Sequence, residues 1–167
     1  RLKPIFDRVK RAGVRNVQVL RAGDKSALSA LGPRFDVVLV DAPCTGTGTW
    51  RRRPDAKWKL KPNNLADRQK QQRDVLGQAA ALVKPGGRLV YVTCSLLAEE
   101  NSDQIAAFLA HQKDFASVPY ADVWRACLPG EPPASADGSL EHLVLTPGMH
   151  GTDGFFIAIL TRALQTD

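Results

Sequence analysis

Two cysteines of this chain each stand at the end of an apolar, β-branched run. Cys44 closes the sequence Asp-Ala-Pro-Cys, which begins at Asp41, and Cys94 comes directly after Thr93. A thiolate is a good nucleophile and also leaves readily, so one cysteine could attack an electrophilic carbon while the other helps to reverse the bond. Cysteine also fills apolar cores as a small hydrophobe, but the matched positions of Cys44 and Cys94 favour a chemical role.

Two carboxylates and three histidines are the other candidates for chemistry. Asp41 could hydrogen-bond an amine or protonate a ring nitrogen, and Asp24 could accept hydrogen bonds from a bound nucleoside. Either could instead be a helix cap or a turn residue, and for Asp24 this alternative has nearly equal weight. We assign His150 a structural role in a glycine-rich loop. His111 and His142 lack the spacing of metal ligands, so no metal site is expected.

A sheet must bring these side chains together. Residues 35–40 are apolar and β-branched, which predicts a strand covered on both faces, and residues 88–93 predict a second strand. Pro43 stops the ladder after the first strand. In open α/β sheets the ligand crevice lies outside the carboxyl ends of the strands, so Asp41, Cys44 and Cys94 are expected at one mouth.

The remaining periodicity completes a three-layer α/β fold with a mostly parallel sheet, in which the last pair of strands is antiparallel. An amphipathic helix with Leu2, Ile5, Phe6 and Val9 on one face is ended by Gly13. Further segments predict a strand at 16–20, a helix at 65–83 capped by an asparagine, a helix starting at 99–101, an irregular excursion at 119–138, and strands at 143–145 and 155–160. We expect one domain.

The positive charge is concentrated in one segment. The chain carries a formal net charge of +6, and residues 51–73 alone hold nine lysines and arginines against two aspartates. Two tryptophans, at 50 and 58, lie within or beside this segment. Such a stretch is typical of a surface that follows phosphates and stacks bases, although a solvated helix face is the alternative. The predicted RNA-binding residues are Arg51, Arg52, Arg53, Lys57, Trp58 and Lys59.

Several motifs together resemble the RNA 5-methylcytosine methyltransferases, and most closely the bacterial Sun/Fmu type that methylates small-subunit ribosomal RNA. They are Asp-Ala-Pro-Cys-Thr-Gly-Thr-Gly at 41–48, Leu-Val-Lys-Pro-Gly-Gly at 82–87, Val-Thr-Cys-Ser at 92–95 with Glu-Glu-Asn at 99–101, and Gly-Thr-Asp-Gly-Phe-Phe at 151–156. They match in kind and in order over nearly the whole chain. The resemblance is therefore specific.

The resemblance implies a Rossmann-like, S-adenosylmethionine-dependent methyltransferase fold and assigns roles to individual residues. Cys94 would add to C6 of a cytosine, and Cys44 would assist removal of the C5 proton and release of Cys94. Asp41 would stand near the cytosine N3 and the methionine end of the cofactor. Asp24 would stand near the cofactor adenine, and Pro43 would line the cofactor site. The target base must leave its stack to reach two thiols in a pocket.

The resemblance and the composition also set expectations about partners and location. RNA, and ribosomal RNA in particular, is the expected partner of a monomer. Three widely separated cysteines argue against a disulfide framework and fit a reducing cytoplasm, with Cys127 as a buried small hydrophobe. No stretch of about eighteen apolar residues occurs, so no membrane span is expected.

The glycine-rich cofactor loop and the N-terminal RNA-binding domain of the Sun/Fmu type have no counterpart in this sequence. We therefore predict that residues 1–167 are the C-terminal, N-terminally truncated portion of a single methyltransferase catalytic domain, with little or no activity alone. A DNA cytosine methyltransferase with Cys44 as nucleophile is one alternative, against which the Thr-Cys-Ser sequence around Cys94 speaks. A non-catalytic RNA-binding module is the other.

Overall fold

The computed structural model describes residues 3–21 and 23–164. Contacts divide the chain into two compact units, Arg1–Gly32 and Pro33–Asp167, and each is described by itself. The expectation of a single domain stays a prediction. None of the helices in the described ranges is long and apolar enough to cross a membrane.

The first unit contains two helices, α1 (Lys3–Arg11) and α2 (Lys25–Ser29). The end of α1 was predicted correctly, because Gly13 adopts a φ of +64°, a left-handed conformation that suits glycine. Leu2, which was assigned to its apolar face, lies outside the described residues. The strand predicted at 16–20 is wrong, and α2 was not foreseen. The described part of this unit contains no strand that could pair with residues 16–20. A strand without a partner cannot satisfy its backbone N–H and C=O groups.

The second unit is an α/β sheet with helices on both faces. Its strands are β1 (Phe35–Asp41), β2 (Val83–Thr93), β3 (Phe115–Ser117), β4 (His142–Leu145) and β5 (Phe155–Arg162). Its helices are α3 (Ala56–Lys59), α4 (Pro62–Ala80), α5 (Ser102–His111), α6 (Tyr120–Cys127) and α7 (Pro147–His150), and short 3₁₀ turns lie at Thr47–Thr49 and Ala98–Glu100.

The strand directions confirm the predicted sheet. The spatial order is β1-β2-β5-β3, and β4 also pairs with β5. β1 and β2 are parallel, whereas β5 is antiparallel to β2, β3 and β4. Among the described strands, four therefore run in one direction and the last strand opposes them, as the sequence predicted.

Alternation along β5 shows the three layers. Phe156, Ala158 and Leu160 belong to the buried core cluster, together with residues of α4 and α5. Ile157 and Ile159 instead line a cavity against α6 on the opposite face. Since successive strand residues point to opposite faces, the helices α4 and α5 cover one side of the sheet and α6 covers the other.

β1 is less covered than its apolar sequence predicts. Val37 and Leu39 are 57% and 67% exposed, and Val40 is the buried apolar residue of the strand. β1 pairs with β2 alone among the described strands, so it forms an edge of the sheet. Val37 and Leu39 lie on the same face of β1, and their exposure shows that this face is open to solvent in the described structure, so the expectation of a strand buried on both faces is wrong.

Other element boundaries differ from the predicted ones for local reasons. α4 begins with Pro62, because the fixed φ of proline suits the first helical position, and Lys61 is the N-cap residue. Asn63 and Asn64 therefore lie within the first turn, and no side chain caps the helix. β2 begins at Val83 and runs through the Lys-Pro-Gly-Gly sequence that was predicted to separate helix and strand. The excursion at 119–138 contains α6, and Cys127 at its end is exposed instead of buried.

Candidate active site

The two predicted strand-end cysteines meet in the structure. β1 and β2 are parallel neighbours, with Asp41 opposite Val92, so the residues after both strands emerge at the same edge of the sheet. Cys44 and Cys94 are both half-buried, and their Sγ atoms lie 3.3 Å apart. This distance allows a hydrogen bond between the two sulfurs, so the pair can function as one unit.

The two thiols have pKa values shifted in opposite directions. The pKa of Cys94 is lowered to about 7, mainly because the Cys44 thiol donates a hydrogen bond to the Cys94 sulfur. The same hydrogen bond, together with burial, raises the pKa of Cys44 well above its ordinary value. At pH 7 about half of the Cys94 side chains are therefore thiolates, and each is stabilised by the Cys44 thiol. A thiolate is the nucleophilic form of cysteine, which favours Cys94 as the attacking group.

The loop that carries Cys44 is held by the buried carboxylate of Glu100. Glu100 Oε1 accepts hydrogen bonds from the backbone N–H of Thr45 at 2.9 Å and from Gln72 Nε2 at 3.0 Å, and Oε2 accepts one from the Thr45 hydroxyl at 2.5 Å. Gln72 Nε2 also donates to the carbonyl of Pro43 at 2.9 Å. Both Glu100 and Gln72 are fully buried. The residues on either side of Cys44 are thus fixed from within the core.

The segment that carries Cys94 is held by a second set of buried polar groups. The Thr93 hydroxyl donates to Asn101 Oδ1 at 2.6 Å, and Asn101 Nδ2 donates to the carbonyl of Ser95 at 2.9 Å. The Ser95 hydroxyl lies 3.1 Å from the Thr47 hydroxyl, which also accepts the backbone N–H of Leu96 at 2.8 Å. These bonds fix Cys94 from both sides, because satisfied buried polar networks are rigid.

Gly48 joins the two cysteine loops to the loop before β5. Its N–H donates to the carbonyl of Cys94 at 2.9 Å, and its carbonyl accepts the N–H of Gly154 at 2.8 Å. A Cβ atom on Gly48 would lie 2.3 Å from the Gly154 carbonyl oxygen, a distance at which the backbone must shift. Glycine is required here because two backbones approach each other directly.

The predicted carboxylates occupy different settings. Asp41 ends β1 and is exposed, and its charge acts on Cys94 by opposing the lowered pKa. Asp24 caps α2, where its Oδ1 accepts the backbone N–H of Ala27 at 2.9 Å, and this bond is the main cause of its lowered pKa. The capping alternative for Asp24 is therefore realised, and its cofactor role stays a prediction.

His150 is part of a loop anchor, as predicted. Its Nδ1 accepts the backbone N–H of Thr146 at 3.0 Å, so Nε2 carries the proton and donates to the carbonyl of Ala134 at 2.9 Å. Within the described ranges, no group of three or more histidine, cysteine, aspartate and glutamate side chains could hold a metal ion.

Two of the predicted RNA-binding arginines make contacts within the chain. Arg52 forms an ion pair with Asp153 at 2.9 Å, and Arg51 donates to the carbonyl of Gly151 at 3.2 Å. Both contacts tie the basic segment to the loop before β5. Arg53 is exposed beside them. The roles of these arginines in RNA binding stay predictions.

The other three predicted RNA-binding residues lie on α3 and are exposed. The Lys57 ammonium lies 4.6 Å from the centre of the Trp58 ring, and Trp58 is 79% exposed. Lys59 pairs with Asp55 one helical turn before it. An exposed indole beside two lysines has the composition of a base-stacking platform, and this role also stays a prediction.

Comparison with known proteins identifies the family. Residues 1–161 match the family model described as 16S rRNA methyltransferase RsmB/F. The chain belongs to the RsmB/F family. Ribosomal RNA small subunit methyltransferase B of Klebsiella pneumoniae subsp. pneumoniae is 38% identical over 163 residues, which cover 97% of this chain and 34% of the relative. The same-named protein of Shewanella oneidensis is 38% identical over 79% of this chain and 28% of its own length.

Solved structures agree with this assignment. The crystal structure of PH0851 superposes with a TM-score of 0.83 at 36% identity and covers 96% of this chain and 34% of that protein. NSun6 from Pyrococcus horikoshii, solved with SFG, gives a TM-score of 0.79 at 28% identity over 99% of this chain and 39% of that protein. This RsmB/F chain spans about a third of the length of the curated relatives, and the family resemblance inferred from its motifs is confirmed.

Sequence reasoning missed the buried anchors of this RsmB/F site. The sequence indicated only that Glu100 lies at the start of a helix, whereas its side chain binds the Cys44 loop from the core. Gln72 was not singled out, although it lies one turn before Leu76 on the buried face of α4. A polar residue within an apolar stripe was the available signal, because buried polar side chains need specific partners.

Proposed function

We propose that the protein containing this chain transfers a methyl group to C5 of a cytosine in small-subunit ribosomal RNA, through a covalent bond between Cys94 and C6 of the base. The observation that carries the proposal is the thiol pair, with its Sγ atoms 3.3 Å apart and the pKa of Cys94 lowered to about 7. Membership of the RsmB/F family and the relatives named ribosomal RNA small subunit methyltransferase B support RNA as the substrate.

Cys94 supplies the nucleophile. Carbon C5 of cytosine is a poor nucleophile, so the ring must first be activated. The Cys94 thiolate forms the S–C6 bond, and the electron pair of the C5–C6 double bond makes C5 electron-rich. Because about half of Cys94 is already ionised at pH 7, this attack needs no separate base.

Cys44 completes the cycle. While Cys94 is a thiolate, the hydrogen bond to it keeps Cys44 protonated. Once the Cys94 sulfur is bonded to carbon, that negative charge is gone, and the largest cause of the raised pKa of Cys44 goes with it. Cys44 can then lose its own proton to solvent, and the resulting thiolate takes the proton from C5 while the S–C6 bond breaks and Cys94 leaves as a thiolate.

Asp41 and Pro43 are the residues of this unit that we assign to the cofactor S-adenosylmethionine, which supplies the methyl group when bound. The Asp41 carboxylate is exposed at the mouth beside Cys94, and it has no hydrogen bond within the described residues. An unpaired carboxylate at this position fits the positive charges of the cofactor's methionine end. The relative NSun6, solved with the S-adenosylmethionine analogue SFG, supports this assignment.

The test is a trapping experiment with the full-length protein that contains residues 1–167. The Cys44→Ala variant is mixed with small-subunit ribosomal RNA and S-adenosylmethionine and run on a denaturing gel. We expect a protein–RNA adduct, because the bond from Cys94 forms and its release is impaired. The adduct should be absent from the Cys44→Ala/Cys94→Ala double variant and should survive in a Cys44→Ala/Cys127→Ala control.

Two results would refute the assignment of roles. Methylation that persists in Cys44→Ala without any adduct would show that Cys44 is not the releasing thiol. An adduct in the single variant Cys94→Ala that requires Cys44 would make Cys44 the nucleophile, as in DNA cytosine methyltransferases. RNA binding without methyl transfer by the wild-type protein would favour the non-catalytic alternative.

A further inference from the structure

A small cavity lies on the Cys44 side of the thiol pair. Its volume is about 180 Å³, and its wall includes Cys44 and side chains of α3, α4 and the turn between them: Ala56, Lys59, Leu60, Asn64 and Arg68. Cys94 is not among the described residues that line it. The cavity therefore adjoins the reactive pair without being the place where a base contacts both sulfurs.

The lining of the cavity suits an anion. Lys59 and Arg68 carry only hydrogen-bond donors, and the Asn64 amide adds two more. No carboxylate lies in the described wall. α4 begins beside it without an acidic residue in its first turn and without a side-chain cap, so the positive end of its dipole also favours negative charge.

The existing contacts of the two cations leave them able to bind a ligand. Lys59 pairs with Asp55 in a mostly exposed contact, and Arg68 donates one hydrogen bond to Gln71 at 2.7 Å. Exposed pairs of this kind contribute little to stability, and a guanidinium has five N–H donors. The Asn64 side chain makes no hydrogen bond within the described residues. A bound anion would therefore gain contacts without disrupting the fold.

Resting on the function proposed above, we propose that this cavity binds the phosphodiester group of the RNA chain next to the target cytosine. Its volume is below the roughly 300 Å³ at which pockets begin to hold drug-sized molecules, so it accommodates one phosphodiester and the adjoining sugar edge better than a whole nucleotide. A phosphate held here would keep the strand beside Cys44 while the base is turned out of its stack. Arg68 and Asn64 were not among the residues predicted from the sequence.

The first experiment compares two arginines of the same helix in the full-length protein. Arg68→Gln removes a cation from the cavity, whereas Arg73→Gln removes the same charge from a separate groove between α4 and α5. The probe is the ribosomal RNA oligonucleotide that gives the Cys44→Ala adduct, and its Kd is measured by fluorescence anisotropy over a range of salt. We expect Arg68→Gln to raise the Kd about tenfold and to reduce the salt slope by about 0.7, and Arg73→Gln to do neither.

The second experiment locates the phosphate. A methylphosphonate, which is neutral, replaces the phosphate on either side of the target cytosine in turn. At one of these positions it should weaken binding to the wild type about tenfold and leave binding to Arg68→Gln unchanged, because both changes remove the same contact. Equal weakening in both proteins at both positions would overturn the proposal.

The outcomes separate this inference from the function on which it rests. If Cys44→Ala forms no adduct, the proposed role of Cys44 in the methylation mechanism fails. If the adduct forms but Arg68→Gln and Arg73→Gln have the same Kd and salt slope, the mechanism stands and the phosphate site is wrong. Arg68→Lys should recover most of the salt slope, because it restores the charge.

Discussion

The ionisation of Cys94 should depend on the hydrogen bond from Cys44. The pKa of Cys94 is lowered from 9.0 to about 7, and this hydrogen bond is the largest cause. Burial and the charges of Asp41 and Glu100 all act in the opposite direction. The Cys44→Ala substitution removes the hydrogen bond that lowers the pKa of Cys94 and leaves the effects that raise it. The pKa of Cys94 should therefore rise to 9 or above. At pH 7 the ionised fraction of Cys94 would fall from about one half to about one hundredth.

The assay is the rate of iodoacetamide alkylation of Cys94 as a function of pH, followed by mass spectrometry of the Cys94 peptide. Exposed Cys127 is replaced by serine in every variant, because it would also react. A thiolate becomes more nucleophilic as its pKa rises, with a Brønsted coefficient of about 0.4–0.5, so the rate at pH 7 should fall only about sixfold. The midpoint of the pH profile is therefore the decisive quantity.

The expected midpoint is near pH 7 in the wild type and near pH 9 or higher in Cys44→Ala. Cys44→Ser should lie between them, since its hydroxyl can still donate a hydrogen bond to the Cys94 sulfur. An unchanged midpoint in Cys44→Ala would refute the reasoning, because the thiol pair would then not control the proton. Faster alkylation of Cys44 than of Cys94 at pH 7 would show that the two pKa values are in the reverse order.

Further substitutions test the scaffold of the site. Gly48→Ala should lower the free energy of unfolding by about 3 kcal/mol in urea titration, since its Cβ would lie 2.3 Å from the Gly154 carbonyl oxygen. Gly77→Ala, in the open interior of α4, is the matched control and should stabilise the protein by about 0.5–1 kcal/mol; destabilisation at both glycines to the same extent would contradict the argument. Glu100→Ala should cost about 3 kcal/mol, because the Thr45 and Gln72 donors lose their acceptor. Glu100→Gln should recover much of that loss and move the Cys94 alkylation midpoint to lower pH, because the charge that raises its pKa is removed; a midpoint moved upward would contradict this.

The meeting of the two cysteines could be predicted because it follows from local patterns and one general rule. Two apolar runs predict parallel strands, and the carboxyl ends of parallel strands share one edge of the sheet. The rule therefore predicts that Asp41, Cys44 and Cys94 lie at one edge of the sheet. In the structure, the Sγ atoms of Cys44 and Cys94 are 3.3 Å apart. The antiparallel direction of β5 could also be predicted. The connection from β4 to β5, which includes α7, is too short for the crossover that a parallel pair would need.

Features that depend on distant partners could not be predicted in this way. The strand predicted at 16–20 has the right alternation, but a strand forms only where another strand pairs with it. The buried role of Glu100 depends on Thr45, which lies 55 residues away, and a glutamate before a helix fits two interpretations equally well. Arg68 is one cation among many in its segment, and only the folded chain shows that it lies beside Cys44.

We expect one short turn and one glycine to control the spacing of the two sulfurs. Glu100 holds the loop of Cys44, and Asn101, the next residue, holds the segment of Cys94. A shift of this turn as a whole would move both sulfurs together and keep their distance. The bond from the Gly48 N–H to the Cys94 carbonyl instead links the two cysteine loops directly. Gly48→Ala should therefore raise the pKa of Cys94 even in molecules that remain folded, and an alkylation midpoint still near pH 7 in that variant would show that the turn alone sets the spacing.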